Sequence, residues 1–467
     1  MTISRVISPS LSQSPPLGRA FRSDREVYDL SHLRTSCAHD IFGGNFWTVL
    51  VPQLSQASPA VRYGMLALSA LLQQVESPLG ITGDAEVERK QERCALERYT
   101  KAVSAAKELV ATPNVVETDL AAVLSCCIIF VVYENLKGGY KAAGMHLRSG
   151  MGILCGGRAR RTGAEIESMF DLMGLLDFQA LSFSDDDAPY EFGPTNPASI
   201  EPAPLPGKFL SLAQARRILF EYMKHMFWVR HMLASGSFST RDWDIQAERR
   251  KASFKHWTAL LDHFLDEQRD AMSPRDVHHA RLLKMYRTVA GILCVAAFSQ
   301  TESAVDAHML DFQQIICDAE EIIAMEAPKM GTDLDTNDKT FYSKRFSFEM
   351  GINPNLFVVA VKCRDPTLRR RAVALLRSSS RHEGTWDGPT AASVAEKVIE
   401  IEEVAAAEIA ERAVEYAGDV PEEKRVVGVY TKAEMDKSRV RLTLIFREPD
   451  EDGVGWHWRE TKDCAFF

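Results

Sequence analysis

The chain has 467 residues, of which 46% are hydrophobic and 25% charged, so it is long enough for one large domain or two to three smaller ones. Its net charge of −9 excludes a protein that holds nucleic acid or a membrane surface by overall charge. Its nine cysteines include no C-x2-C pair, and no secretory signal precedes them, which favours reduced thiols and excludes the usual closely spaced zinc ligands.

The N-terminal 23 residues are rich in serine and proline and are predicted to form a disordered tail. A helical domain is predicted over residues 24–420. Its first strong signal is Ser58-Pro59, a capping residue followed by a residue that suits the first helical turn. The apolar residues that follow recur on one helical face, at Val61, Met65, Leu68, Leu72 and Val75.

The longest apolar run extends from Leu120 to Val132. A membrane-spanning helix needs about 20 apolar residues, so this shorter run predicts a helix buried in a protein core. We therefore expect no membrane association. The glycine pairs Gly138-Gly139 and Gly156-Gly157 are interpreted as helix ends and not as a phosphate-binding loop.

Helical periodicity continues on both sides of a long irregular segment. Helices are predicted at Glu86–Val110, Glu117–Leu136, Tyr140–Cys155, Ala164–Ser182, Leu212–Leu233, Ile245–Gln268, Pro274–Gln300 and Ala304–Met325. Residues 183–208 contain six prolines and the acidic triplet Asp185-Asp186-Asp187. This segment is predicted to be a surface loop, and it is either a seam between two halves of the domain or an insertion.

A helical hairpin is predicted between Gly351 and Glu403. Asp365 and Pro366 are suited to begin its first helix, Arg381–Gly388 forms the turn, and Pro389 begins the second helix. The first helix is basic and the second is acidic, so we expect their charges to pair. An arginine face that is paired in this way does not predict nucleic-acid binding.

The C-terminal segment, residues 421–467, carries the main strand signal. Val440, Leu442, Leu444 and Phe446 alternate with more polar residues, and a turn then leads to Trp456-His457-Trp458. The predicted fold is therefore all-α, a large helical bundle with a small C-terminal β-hairpin.

A search for chemical sites identifies no catalytic, cofactor-binding or metal-binding residue, so we predict that the chain is not an enzyme and needs no cofactor. The acidic triplet at 185–187 is interpreted as a solvated loop, because no second metal-binding motif accompanies it. His225, His231 and the pair His278-His279 lack the spacing of metal ligands. Cys363 is predicted to be a buried structural thiol.

Two segments far apart in the chain resemble the fungal-specific transcription factor regulatory domain, which normally follows a zinc binuclear-cluster DNA-binding domain. The first is FWTVLVPQLSQASPAVRYGMLALSAL, with a shorter match at His146-Leu147-Arg148-Ser149-Gly150. The second carries Phe357, Lys362-Cys363-Arg364-Asp365-Pro366, Arg369-Arg370, Leu375-Leu376, Arg381, Glu383-Gly384 and Trp386-Asp387. Asn355 and His382 depart from the family, which usually has a second proline and an Arg-Arg pair there.

The resemblance covers roughly Asp24 to Glu460 and implies a helical regulatory domain that acts in transcriptional control, in the nucleus, including control of a biosynthetic gene cluster. The sequence contains no C-x2-C-x6-C pattern, so this copy lacks the family's zinc cluster. We therefore expect only weak, non-specific DNA binding. Either a DNA-binding partner supplies the contact, or the chain is a truncated gene product.

The implied partners are other transcription proteins, and both homodimers and heterodimers are compatible with the resemblance. The alternative function is that of a helical small-molecule-sensing or accessory protein with no direct role at DNA. Its basis is that a large helical body rich in methionine and phenylalanine can enclose an apolar pocket.

Overall fold

A computed structural model describes residues 23–36, 45–76, 85–111, 117–155, 164–183, 204–234, 240–299, 301–326, 346–379, 381–434, 439–449 and 456–466. The chain divides into two compact units, Met1–Gly174 and Leu175–Phe467. Residues 1–22 of the predicted tail and 184–203 of the predicted loop, with its acidic triplet, lie outside the described residues. The domain bounds drawn from the sequence, 24–420 and 421–467, stay predictions.

The described part of the first unit is helical. Its elements are α1 (Asp24–Ser36), a π-helical turn (Phe46–Leu50), α2 (Val51–Ala57), α3 (Pro59–Glu76), α4 (Ala85–Ala111), α5 (Glu117–Leu136), α6 (Tyr140–Cys155) and the beginning of α7 (Ala164–Phe183). Helix α3 packs against α1, α2, α4 and α5. Its predicted apolar face is confirmed, because Val61, Met65, Leu68 and Leu72 are fully buried.

Helix α5 is the core helix that the apolar run predicted. Ala121 to Tyr133 are buried throughout, so α5 has no polar face along this stretch. It ends as predicted, at glycine, because Gly138 has a φ of 71°, which favours a residue without a Cβ. Among the described residues, no helix combines the length and apolar character that a membrane crossing needs.

The second unit contains the end of α7, seven further helices and two small sheets among its described residues. The helices are α8 (Leu212–Ala234), α9 (Thr240–Gln268), α10 (Pro274–Phe298), α11 (Met309–Glu326), α12 (Asn353–Lys362), α13 (Pro366–Ser378) and α14 (Gly388–Ala410). Helices α12, α13 and α14 pack against one another, and α11 packs against α10, α12 and α13. A 3-10 turn, Glu302–His308, leads into α11.

Two three-stranded sheets complete this unit. The first joins three short strands, β1 (Phe346–Ser347), β2 (His382–Glu383) and β3 (Trp386–Asp387), in that order. The second is antiparallel, in the order β4 (Val426–Glu434), β5 (Arg439–Pro449) and β6 (Trp456–Phe466). Val440, Leu442, Leu444 and Phe446 are buried along β5 as predicted, but Thr443 and Ile445 between them are buried as well, so the predicted alternation holds only at Arg441, which is exposed.

The predicted fold class, a helical body with a small C-terminal β element, is confirmed. The predicted hairpin corresponds to β5 and β6, and their pairing includes Leu444 opposite Thr461. Strand β4 was not predicted, although Val429, Tyr430 and Thr431 are typical strand residues. The predicted helix at Ala304–Met325 is divided into the 3-10 turn and α11.

Candidate functional site

The helical hairpin predicted between Gly351 and Glu403 is present as α13 and α14, and α13 begins at the expected cap. The segment also contains α12, which was not predicted. Asp365 Oδ1 accepts hydrogen bonds from the backbone N–H of Thr367 at 3.0 Å and of Leu368 at 2.9 Å, and Pro366 is the first residue of α13. Asp387 accepts from the backbone N–H of Thr390 at 3.0 Å and begins α14. Each carboxylate thereby satisfies amide donors that have no partner within the helix.

The arginines of α13 are paired with carboxylates of neighbouring helices, which confirms the predicted charge pairing. The pairs are Arg369 with Glu402, Arg370 with Glu403 and Arg377 with Glu396 on α14, and Arg371 with Glu320 on α11. A nucleic-acid interface needs positive charge that phosphates can neutralise. The basic face of α13 is instead neutralised within the protein.

Behind this paired face lies a buried group of charges that we call the charged core, which consists of Glu302, Lys362, Arg364, Arg369 and Glu402. Arg364 is fully buried and donates to Glu302 Oε1 at 3.2 Å and to Glu402 Oε1 at 3.0 Å. Arg369 donates to Glu402 Oε2 at 2.7 Å, and Lys362 pairs with Glu302. The charged core thus joins the 3-10 turn, α12, α13 and α14.

The same side chains anchor β4. Glu402 Oε1 accepts from the backbone N–H of Val426 at 2.7 Å, and Arg364 donates to the backbone oxygen of Val426 at 3.0 Å. Lys362 Nζ donates to the backbone oxygen of Val427 at 2.8 Å. The N–H and the C=O of Val426, the first residue of β4, are therefore both hydrogen-bonded to charged side chains. Hydrogen bonds to charged groups are stronger than those between neutral groups.

Mutual pairing keeps Glu402 and Arg364 ionised. Burial favours neutral Glu402, but the positive charges of Arg364 and Arg369 outweigh burial and lower the pKa of Glu402. Burial alone would lower the pKa of Arg364, yet Glu402 and Glu302 hold that pKa above its ordinary value. Such a cluster is costly to break, because removing one member leaves its partners charged and buried.

Glu383, which the resemblance singled out together with Gly384, holds the beginning of α12. The Glu383 carboxylate accepts from the backbone N–H groups of Gly351 at 2.9 Å, Ile352 at 3.1 Å and Asn353 at 2.8 Å. Gly384, in the turn between β2 and β3, has a φ of 61°, and an added Cβ would lie 2.2 Å from Gln179 Oε1. Only glycine fits this turn without a shift of Gln179.

An apolar cavity of about 110 Å³ lies beside the charged core, within the second unit. Helices α7, α8, α10 and α12 enclose it together with β3 and β4. Its lining includes Phe178, Met223, Val289, Val358, Trp386 and Val427. Lys362 is the one Lys, Arg, Asp or Glu side chain among the described residues that line it. Sequence analysis did not locate this cavity, because its walls come from segments separated by up to 250 residues of chain.

The remaining candidates from the sequence do not converge on one site. Cys363 is buried as predicted, and burial raises the pKa of its thiol to about 11. His279 is buried and His225 is half-buried, and desolvation lowers the pKa of each to about 4. The side chain of His231 and the pair Gly156-Gly157 lie outside the described residues. In the described ranges, no group of three or more His, Cys, Asp or Glu side chains could hold a metal ion.

Sequence comparison adds one informative similarity. No protein-family model matches the chain, and no solved structure matches it. The chain is 24% identical over 449 residues to the aspercryptin biosynthesis cluster-specific transcription regulator atnN of Emericella nidulans, and the aligned region covers 79% of this chain and 72% of that regulator. The chain is therefore similar, over most of its length, to a transcription regulator.

Proposed function

We propose that the chain is a nuclear transcriptional regulator of the fungal zinc-cluster type that controls a biosynthetic gene cluster. The observation that carries this proposal is the similarity to a biosynthesis cluster-specific transcription regulator over 79% of the chain. The resemblance of residues 46–71 and 351–403 to the fungal regulatory domain supports the same family independently. The segment at the centre of that resemblance, residues 362–387, supplies helix caps through Asp365 and Glu383. It also supplies the cations of the charged core, including Arg364.

In this proposal the chain reaches promoters through a DNA-binding partner and not through a zinc cluster of its own. The paired arginines of α13 support DNA contact through a partner, because their charge is already neutralised by carboxylates of the same chain. These carboxylates are Glu320, Glu396, Glu402 and Glu403. The chain would then contribute a rigid helical surface for protein contacts. Its action would be that of an adaptor in transcription and not of an enzyme.

Deletion of the gene tests the role in biosynthesis. We expect the transcripts of one co-located set of biosynthetic genes to change several-fold together, and re-expression of the wild-type chain to restore them. The measurement is RNA abundance across the genome under conditions that induce secondary metabolism. A deletion strain in which no such gene set responds would contradict the proposal.

A tethered reporter separates regulatory capacity from DNA contact. The chain is fused to an unrelated DNA-binding domain whose site lies upstream of a reporter gene. We expect reporter output to change several-fold relative to the DNA-binding domain alone, and the untethered chain to have no effect. An unchanged reporter would show that the chain has no regulatory surface of its own.

A further inference from the structure

The apolar cavity of the second unit has the size of a small-molecule site and is partly open to solvent. Its volume is about 110 Å³. An apolar cavity of about 150 Å³ in another protein stays free of water and binds benzene, so a volume of this order suits a molecule of about one ring. The rings of Phe178, Tyr286 and Trp386 line it, and Met223 and Met350 add flexible side chains that adapt to a ligand's shape.

The polar atoms of the lining are already engaged with the protein. Tyr286 donates its hydroxyl hydrogen to the backbone oxygen of Gly351 at 3.0 Å. Ser182 donates to the backbone oxygen of Gln179 at 2.9 Å and accepts from Trp386 Nε1 at 3.1 Å. A bound water needs two to four polar partners, so this lining favours an apolar occupant over water.

The charge of the lining is also compensated. Lys362 is 5% exposed, pairs with Glu302, and donates to the backbone oxygen of Val427. An anionic ligand would have to compete with Glu302 for this ammonium group and would lose its own hydration on entering an apolar site. A cationic ligand would face the Lys362 charge with no carboxylate in the lining to offset it. The site therefore favours a neutral ligand.

We propose that this cavity binds a small, neutral, largely apolar molecule with one aromatic ring or a small fused-ring system. Leu293 and Val358 line the cavity and remain half-buried, so a larger side chain at either position can enter it without displacing the fully buried core. The bound molecule contacts α7, α8, α10, α12 and β4 at once, so its presence stabilises the packing of these elements. This binding is independent of the proposed role in transcription, and each can fail without the other.

The probes are toluene and indole as neutral single-ring or fused-ring molecules, and benzoate as an anionic molecule of similar size. At a concentration of about ten times its Kd, a bound probe raises the Tm of the full chain by about 2 °C. We expect this rise with toluene or indole and none with benzoate. The proposal is overturned if neither neutral probe raises Tm, or if benzoate raises it at least as much.

Two variants place the binding in this cavity. Val358→Phe and Leu293→Phe each put a larger side chain into the lining of the cavity and are expected to abolish the rise in Tm. Val277→Phe is the control, because it makes the same substitution as Val358→Phe at a residue that is 47% exposed and lies outside the lining. This variant should retain the rise in Tm. A rise that persists in a folded cavity variant would assign the binding elsewhere and overturn the proposal.

Fluorescence quenching gives a readout that needs no variant. Bromobenzene quenches tryptophan on contact through its heavy atom, and Trp386 lines the cavity. We expect part of the tryptophan emission to be quenched in a saturable manner, with toluene competing for the same sites. Quenching that rises linearly with bromobenzene concentration, as for random collisions, would contradict a bound state.

Discussion

At the scale of single residues, Glu402 is the side chain on which most of the buried charge depends. It is fully buried, accepts hydrogen bonds from Arg364 and Arg369, and also accepts from the backbone N–H of Val426. The Glu402 carboxylate is therefore the shared counter-charge of two buried cations, Arg364 and Arg369. The partners of this carboxylate could not be inferred from sequence, because spacing along a helix reports which face a residue occupies but not which distant residue covers it.

Replacing Glu402 with glutamine is expected to lower the free energy of unfolding by about 3–5 kcal/mol, since it leaves buried arginines without their counter-charge. The measurement is urea unfolding of the full chain followed by far-ultraviolet circular dichroism. Glu400→Gln is the matched control, because Glu400 lies on the same helix, is 61% exposed and pairs with Lys397. The control should change the unfolding free energy by less than about 1 kcal/mol. Equal effects of the two variants would contradict the charged core.

His279 makes the stability of the second unit depend on pH. Burial lowers its pKa to about 4 in the folded chain, whereas an unfolded histidine has a pKa of about 6.5. Between these values the unfolded state binds a proton that the folded state does not, so stability is complete above pH 6.5 and falls as the pH falls. We expect a loss of about 2 kcal/mol from this residue between pH 7 and pH 5.

The measurement is the unfolding free energy at a series of pH values for wild type and for His279→Gln. The variant should show a shallower decline on the acid side, by the amount that His279 contributes. His263→Gln is the control, because the His263 side chain is 62% exposed. A pH profile that is parallel in wild type and His279→Gln would show that His279 titrates normally.

At the scale of elements, local chemistry determines where helices begin, and contacts between distant segments determine how they are held. Asp365 acts as the cap that sequence reasoning predicted, because a cap is recognised from adjacent residues, whereas Asp387 caps α14 from within the segment that was predicted only as a turn. Glu383 caps α12 from 30 residues away, and this role has no local signal. Strand β4 was missed although its residues favour strands, because a single strand is stabilised only by partners that come later in the chain.

The turn between β2 and β3 gives a test at this scale. Gly384→Ala is expected to destabilise the chain by about 1–3 kcal/mol, because alanine disfavours the left-handed conformation and its Cβ would meet Gln179. Gly418→Ala is the matched control, since an added Cβ there meets no atom within 4 Å. Thermal unfolding of both variants checks the difference. A Gly384→Ala chain as stable as the control would show that the turn tolerates a side chain.

At the scale of the whole molecule, the sequence was sufficient to predict the helical class and the likeness to transcription regulators. The buried face of α3 and the full burial of α5 could be predicted, because each follows from the pattern of apolar residues within a single helix. The charged core and the cavity could not be predicted from the sequence, because each is formed by several segments of the second unit that are far apart in the chain. Function at this scale therefore rests on the similarity to a known regulator, and the structure adds the positions of the buried charges and of the cavity.

The most direct test of the central claim is the DNA affinity of the purified 467-residue chain, measured by fluorescence anisotropy in about 150 mM salt. The DNA fragments are promoters of the genes that respond to deletion, with shuffled sequences of equal length as controls. We expect micromolar or weaker Kd values that are the same for both sets and weaken with salt. Nanomolar binding that prefers the responsive promoters by about a thousandfold or more would contradict the account.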